Sequence, residues 1–204
     1  MDEWKAELLK RLNLDPFHEI GPRELVLLFL LSDGRSPVVG EEVIHLCFFL
    51  YPYVDTPLSP SIILPRLSEI DRTLEALEAE GLVERRTEFV RGRYASVIRL
   101  TERGTAEAKK LQGQVQSSWI ILRGMAVRRG VEILGELEAL KKTYNGRSPL
   151  ELLGLLVSKL EAEGDSILWH VRGVDENVKQ SIMSLVKQLS KEMKSLVRES
   201  YSWV

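Results

Sequence analysis

Along the N-terminal quarter of the chain, apolar residues recur at three- and four-residue steps and are broken by proline or glycine where a helix must stop. Trp4, Leu8, Leu9 and Leu12 share one helical face, so residues 1–14 are expected to form an amphipathic helix that packs on a neighbour and ends at Asp15-Pro16. Gly21-Pro22 opens a second helix, with proline in the first turn where its missing N–H is harmless, and Ser32-Asp33-Gly34 closes it after Leu31. The near-continuous apolar run from Leu25 marks this helix as buried. A third follows Gly40: Glu41 and Glu42 suit the positive end of a helix dipole, and Val43, Ile44, Leu46, Cys47, Phe48 and Leu50 follow. Pro52, Pro57, Pro60 and Pro65 then forbid one regular helix, so residues 51–67 read as an irregular connection with room for a turn of helix.

Ser68 is placed to cap a helix over residues 69–80, with Asp71 reaching back as a weak capping box and Leu67, Ile70, Leu74 and Leu77 as its buried stripe. Gly81 follows in the position that accepts a left-handed backbone. Leu82 to Phe89 and Tyr94 to Thr101 read as two strands of a hairpin closed by Val90-Arg91-Gly92-Arg93, and Thr101 caps the next helix, with Ala106, Ala108 and Leu111 inward.

In the C-terminal half, residues 118–144 read as helical, but the stripe Trp119, Leu122, Met125, Ile133, Leu137 and Leu140 is joined by Ile120, Ile121, Val127, Val131 and Leu134 and is too wide for one neighbour. Asn145-Gly146 turns the chain, Ser148-Pro149 restarts a helix that Leu150, Leu152, Leu153, Leu156, Val157 and Leu160 bury as far as Gly164, and a last helix covers residues 175–201. Val178, Ile182, Leu185, Leu189, Met193 and Leu196 give that helix a coiled-coil-like seam, with Lys179, Lys187, Lys191 and Lys194 off it. Packing inside a helical bundle is the first reading of the seam, ahead of pairing between chains. The division expected is an N-terminal helix at 1–20, a domain at 21–116 and a helical dimerisation or interaction region at 117–204.

The run Leu74-Glu75-Ala76-Leu77-Glu78-Ala79-Glu80-Gly81-Leu82-Val83-Glu84-Arg85-Arg86, followed by Ile98-Arg99-Leu100-Thr101-Glu102-Arg103-Gly104, resembles the MarR and PadR groups of prokaryotic transcription regulators. The likeness covers about the first half of the chain. It implies a mainly α fold with a small β-hairpin, a winged helix-turn-helix domain followed by a C-terminal helical bundle or extension, acting on double-stranded DNA as a homodimer that reads two half-sites. The third helix would then enter the major groove with Ser68, Glu69, Arg72 and Thr73. Arg72 suits a guanine edge, Glu69 a cytosine amine and Thr73 a phosphate or thymine methyl. The wing would offer Arg91 and Arg93, with Arg85 and Arg86 on the strand before it as phosphate contacts.

Two features keep another reading open. Glu69, Asp71, Glu75, Glu78 and Glu80 make the third helix more acidic than basic, and arginines at a hairpin tip also serve plain solubility. The alternative is a winged-helix protein-interaction module in a chromosome-maintenance or transcription assembly, its partner meeting the same helix and wing or the C-terminal helices; a ligand-gated sensor comes third. Charge does not decide between them. Across 204 residues the formal net charge is −2, so any DNA contact must come from local patches, among which Arg123, Arg128, Arg129, Lys141, Lys142 and Arg147 read first as a solvated face.

Composition removes several chemistries. The single cysteine, Cys47, allows no internal disulfide and reads as an inert core thiol, and His18, His45 and His170 are too scattered for a metal site, so no metal or other cofactor is expected. The sequence carries no phosphate loop, nucleophile elbow or kinase signature, and no enzymatic activity is expected. Trp4, Trp119, Trp169 and Trp203 could line a small-molecule pocket, although aromatic residues at helical spacing read first as core. With no basic-then-apolar leader and apolar runs too short for a bilayer, a soluble cytoplasmic protein with no membrane partner is expected.

Overall fold

A computed structural model of the chain describes residues 3–12, 14, 16–33, 37–54, 57–59, 61, 64–122, 126–169, 171 and 174–201. Among these residues the fold is mainly helical, with three small sheets. Helix α1 (Glu3–Arg11) precedes strand β1 (Phe17–Glu19). Trp4 and Leu8 on α1 and Leu12 just after it are exposed, so the apolar face expected to pack on a neighbour is at most partly covered there.

Helix α2 (Pro22–Leu31) starts where Glu24 Oε2 accepts the Gly21 N–H at 2.9 Å, and every residue from Leu25 to Leu31 is buried. The chain continues through β2 (Val38–Val39), α3 (Glu41–Leu50), β3 (Leu58–Ser59), β4 (Arg66–Leu67), α4 (Ser68–Ala79), β5 (Val83–Val90), β6 (Arg93–Leu100) and α5 (Glu102–Gln116), and α4, β6 and α5 pack against α2. The connection expected to hold a turn of helix instead contains the antiparallel pair β3–β4, which proline tolerates because so short a ladder needs few donors.

Strands β5 and β6 pair in one unbroken register from Val83↔Leu100 to Val90↔Arg93, and β2 adds to β6 through Val38↔Ile98 and Val39↔Val97. The hairpin is tighter than its sequence suggests. Only Arg91 and Gly92 form the loop, both with positive φ (51° and 79°), the conformation whose twist matches a two-residue turn. Thr101 caps α5 as expected, accepting the Gly104 N–H at 3.0 Å.

The expected single helix over 118–144 is corrected. Its first part is a hairpin of β7 (Trp119–Leu122) and β8 (Ala126–Arg129), with β1 alongside β7 in parallel, and α6 begins only at Gly130. A strand resolves the over-wide stripe, because Ile120, Ile121 and Leu122 are all buried and a strand can bury both of its faces. Met125 and Arg123, assigned above to the stripe and the basic face, lie outside the described residues.

Helix α6 (Gly130–Tyr144) packs against α2, α3 and α5, and α7 (Pro149–Trp169) packs on α3 and on α8 (Glu176–Tyr201). Helix α7 runs past the expected stop at Gly164 with a kink at Glu163. Ile182, Met183, Val186, Leu189 and Met193 of α8 pack into the core while Val178 and Leu185 stay exposed, so the seam is used largely within the chain. Among the described residues no helix is long and apolar enough to cross a membrane.

Lys141 departs most from expectation. Placed by sequence on a charged outer face, it is fully buried, and its Nζ donates to Leu30 O and Ser32 O, both at 2.8 Å. These carbonyls lie at the end of α2, where the helix supplies no further donors among the described residues, and the negative end of the α2 dipole meets the ammonium there. Burial pulls the Lys141 pKa down to about 8, with Asp33 opposing.

Two predictions follow from this packing. A Cβ on Gly104 would lie 1.9 Å from Leu82 O and one on Gly130 1.7 Å from Val115 O, whereas Gly113 has open space. Gly104→Ala and Gly130→Ala should each lower unfolding free energy by about 2 kcal/mol or more, while Gly113→Ala raises it by about 0.5 kcal/mol, read by thermal and urea melts. For Lys141 the folded pKa lies below the ordinary 10.5, so between about 8 and 10.5 the unfolded chain binds more protons and this residue's contribution to stability rises with pH. Cys47 and Tyr51, whose pKa values burial pushes up, act in the opposite sense above 9 and 10. The stability of the wild type relative to Lys141→Met should therefore increase across that window; a flat difference would refute the buried ammonium.

Candidate nucleic-acid interface

Ile70, Leu74 and Leu77 point α4 into the core, which turns Ser68, Glu69, Arg72 and Thr73 outward together. With Ala76, Arg23 and Pro57 they line an open depression of about 500 Å³. Arg72 is exposed and makes no ion pair among the described residues. Arg23, which sequence reasoning passed over, is fixed at this depression by Glu80 at 2.7 Å and Glu107 at 2.8 Å, and those hydrogen bonds hold its pKa above the ordinary arginine value.

The start of α4 is set differently from expectation. Ser68 is the first helical residue rather than the cap, Leu67 occupies the cap position, and no side chain caps the helix. Asp71 does not reach back to the backbone. Its oxygens accept two hydrogen bonds from Arg66, both at 2.9 Å, because β4 has already drawn Arg66 alongside. Buried His45 of α3 completes the junction: its Nδ1 accepts the Leu67 N–H at 3.1 Å, so the ring proton sits on Nε2, 3.3 Å from Asp71 Oδ1 but off the line of a good hydrogen bond. Burial lowers the His45 pKa, outweighing the raising effect of Asp71. Burial works to raise Asp71, but the Arg66 hydrogen bond and the charges of His45 and Arg66 prevail and hold its carboxyl below the usual range.

The hairpin arginines are more occupied than the sequence indicates. Arg85 turns inward, donating to Glu78 at 2.6 and 2.8 Å and to Glu41 at 3.2 Å, and so ties β5 to α4 and α3. Arg86 is exposed but lies 2.8 Å from Glu84, and Arg93 lies 3.5 Å from Glu42. Arg91, at the exposed tip, donates to Gly146 O in the α6–α7 turn. Asn145 in the same turn bridges β2, accepting the Val39 N–H and donating to Pro37 O, each at 3.0 Å. Of the eight residues nominated, the structure therefore gathers Ser68, Glu69, Arg72 and Thr73 on one face, sets Arg86, Arg91 and Arg93 on or near the hairpin surface, and commits Arg85 to internal ion pairs.

Sequence reasoning also missed Phe89 and Tyr94. They face each other across the hairpin with ring centroids 5.2 Å apart, 65 % and 76 % exposed. Their symmetric placement about Arg91-Gly92 was the available signal.

The other candidate chemistries have a structural account. Cys47 is buried against Leu140 O, and burial pushes its thiol pKa up. Among the described residues no three His, Cys, Asp or Glu side chains converge to hold a metal ion; His170 lies outside them. A cavity of about 490 Å³ between α3, α6 and α7 is lined by Tyr51, Tyr53, Leu140 and Tyr144 with other residues, and by no tryptophan. Trp119 sits under Arg129, Trp169 is exposed beside Lys179, and Trp203 lies outside the described residues.

A depressed His45 pKa means that the unfolded chain takes up a proton first as pH falls below 6.5, so stability drops from there toward the folded value. An NMR titration of the His45 ring should give a midpoint below 6.5, and His45→Gln should remove that share of the acid loss; a midpoint at or above 6.5 would contradict the burial argument. Comparison of the chain with protein-family models and with curated proteins finds no match.

Proposed function

We propose that this chain is a DNA-binding transcription regulator of the MarR/PadR type, a winged helix-turn-helix protein that docks on duplex DNA as half of a cytoplasmic homodimer. The order α2, β2, α3, α4, β5, β6, with the sheet order β2-β6-β5, supports the winged-helix reading: α4 takes the place of the third helix and β5–β6 that of the wing. The observation that carries the functional reading is the open face of α4, where Arg72 stands exposed, with no ion pair among the described residues, beside Ser68, Glu69 and Thr73 while the opposite stripe is buried. A guanidinium so placed is free to make a bidentate contact with guanine or to meet a phosphate. The α7–α8 pair, with Val178 and Leu185 exposed on α8, is the proposed surface for dimerisation or a protein partner.

A second reading rests on a specific observation. Glu41, Glu42, Glu78, Glu84 and Glu88 offset the arginines of β5 and β6, which favours a protein partner over phosphate at the wing. The two readings differ in their response to salt, since a complex that neutralises phosphates weakens steeply as salt rises. Fluorescence anisotropy of a mixed-sequence duplex at two salt concentrations should show salt-sensitive binding by the wild type. Arg72→Ala should weaken it about tenfold. The absence of binding even at low salt would overturn the DNA reading in favour of a protein partner.

A further inference from the structure

The hairpin has two chemically different faces. Strand alternation and the register Phe89↔Tyr94, Thr87↔Ser96 and Arg85↔Ile98 put these six side chains on one face and Glu84, Arg86, Glu88, Arg93 and Arg99 on the other. Both hairpin carboxylates therefore lie away from the aromatic pair, where Arg99 pairs with each of them. The aromatic face also turns toward the helices: Arg85 reaches Glu78 of α4, and Ser96 Oγ lies 3.4 Å from Glu41 of α3. Beyond Thr87 and Ser96 this face is open among the described residues. Phe89 and Tyr94 project into solvent next to the Arg91-Gly92 tip, two large rings joined into one apolar patch on a surface otherwise of hydroxyls and arginine.

We infer that Phe89 and Tyr94 form a wedge that enters the minor groove of duplex DNA beside the segment held by α4 and partly unstacks a base step there. This rests on the DNA reading above and goes beyond it, because it makes the complex one with deformed DNA. Three features favour duplex DNA as the occupant. The wedge face shares its side of the hairpin with the ties to α4, it carries no carboxylate of the hairpin, and the two helix carboxylates that reach this side, Glu41 and Glu78, are both engaged by Arg85, at 3.2 and 2.6 Å. Apolar side chains set between base steps kink the duplex and are best tolerated at flexible pyrimidine–purine steps. Cross-strand aromatic pairs also stabilise hairpins by themselves. The replacement that separates the two roles is threonine, which keeps strand propensity and removes the rings.

The test uses the full chain and a short duplex carrying central TA steps, a fluorescent adenine analogue within one of them and a donor–acceptor dye pair at its ends. Wild type should raise the analogue's fluorescence, as unstacking does, and shorten the end-to-end distance. The Phe89→Thr, Tyr94→Thr double variant, its fold checked by circular dichroism, should bind about tenfold more weakly, with an unchanged salt slope and neither optical change. Salt-sensitive binding by wild type without unstacking or bending would overturn the wedge and leave the DNA reading intact, and this outcome needs no variant. A double variant that binds and bends like wild type would overturn it equally and give the aromatic patch to a protein partner. No duplex binding by wild type would overturn the reading and the wedge together.

Discussion

Buried Lys141 ties the two halves of the chain together across a shared apolar core. Lys141 Nζ meets the last carbonyls of α2, where a buried helix end needs donors that the helix cannot supply. That contact pins the C-terminal end of α6 against the central helix of the N-terminal half. The residues just after it follow: Asn145 completes the edge of β2, and Gly146 offers its carbonyl to Arg91 at the hairpin tip. The buried core accordingly runs without a break from Ile20 to Val186. Burying a charge is costly unless every donor finds an acceptor, and the lowered pKa of Lys141 records that cost.

Polar ties of the same kind orient α4. Its apolar stripe fixes which face is buried but not where along its axis the helix begins. The start is set by Leu67, whose N–H is taken by the buried ring of His45, and by Asp71, which Arg66 and His45 share. At the other end Arg85 crosses from β5 to Glu78. Helix and hairpin are thus tied to each other through side chains other than the outward Ser68, Glu69, Arg72 and Thr73.

Charge distribution sharpens the same point. A chain with a formal net charge of −2 has no general attraction for nucleic acid, and most hairpin arginines are paired with carboxylates. On α4 and the hairpin, among the described residues, what remains available is positional: Arg72, and an aromatic pair on the hairpin face from which the hairpin carboxylates are excluded by strand alternation. Affinity built from so few groups leans on geometry and on repetition of the site, hence the place of a second copy in the proposal.

Period and punctuation along the chain were enough for the helices at 22–31 and 41–50, the strands of the 83–100 hairpin, the left-handed turn at Gly81 and the cap at Thr101, because each depends on residues within a few positions of one another. The face of α4 that carries Ser68, Glu69, Arg72 and Thr73 was legible for the same reason. The sequence misled where a side chain's partner comes from far along the chain. Residues 119–122 and 126–129 lie in a stretch of helix-compatible apolar spacing but form strands, because β1 offers an edge a hundred positions earlier. Ser68 lost the cap role to a junction built by His45 and Arg66, Lys141 went inward to carbonyls it meets only after folding, and Arg85 went to carboxylates on two helices. Local spacing fixes what an element is and which way it faces. Which charges remain free to meet a partner is decided by long-range pairing, which no local pattern encodes.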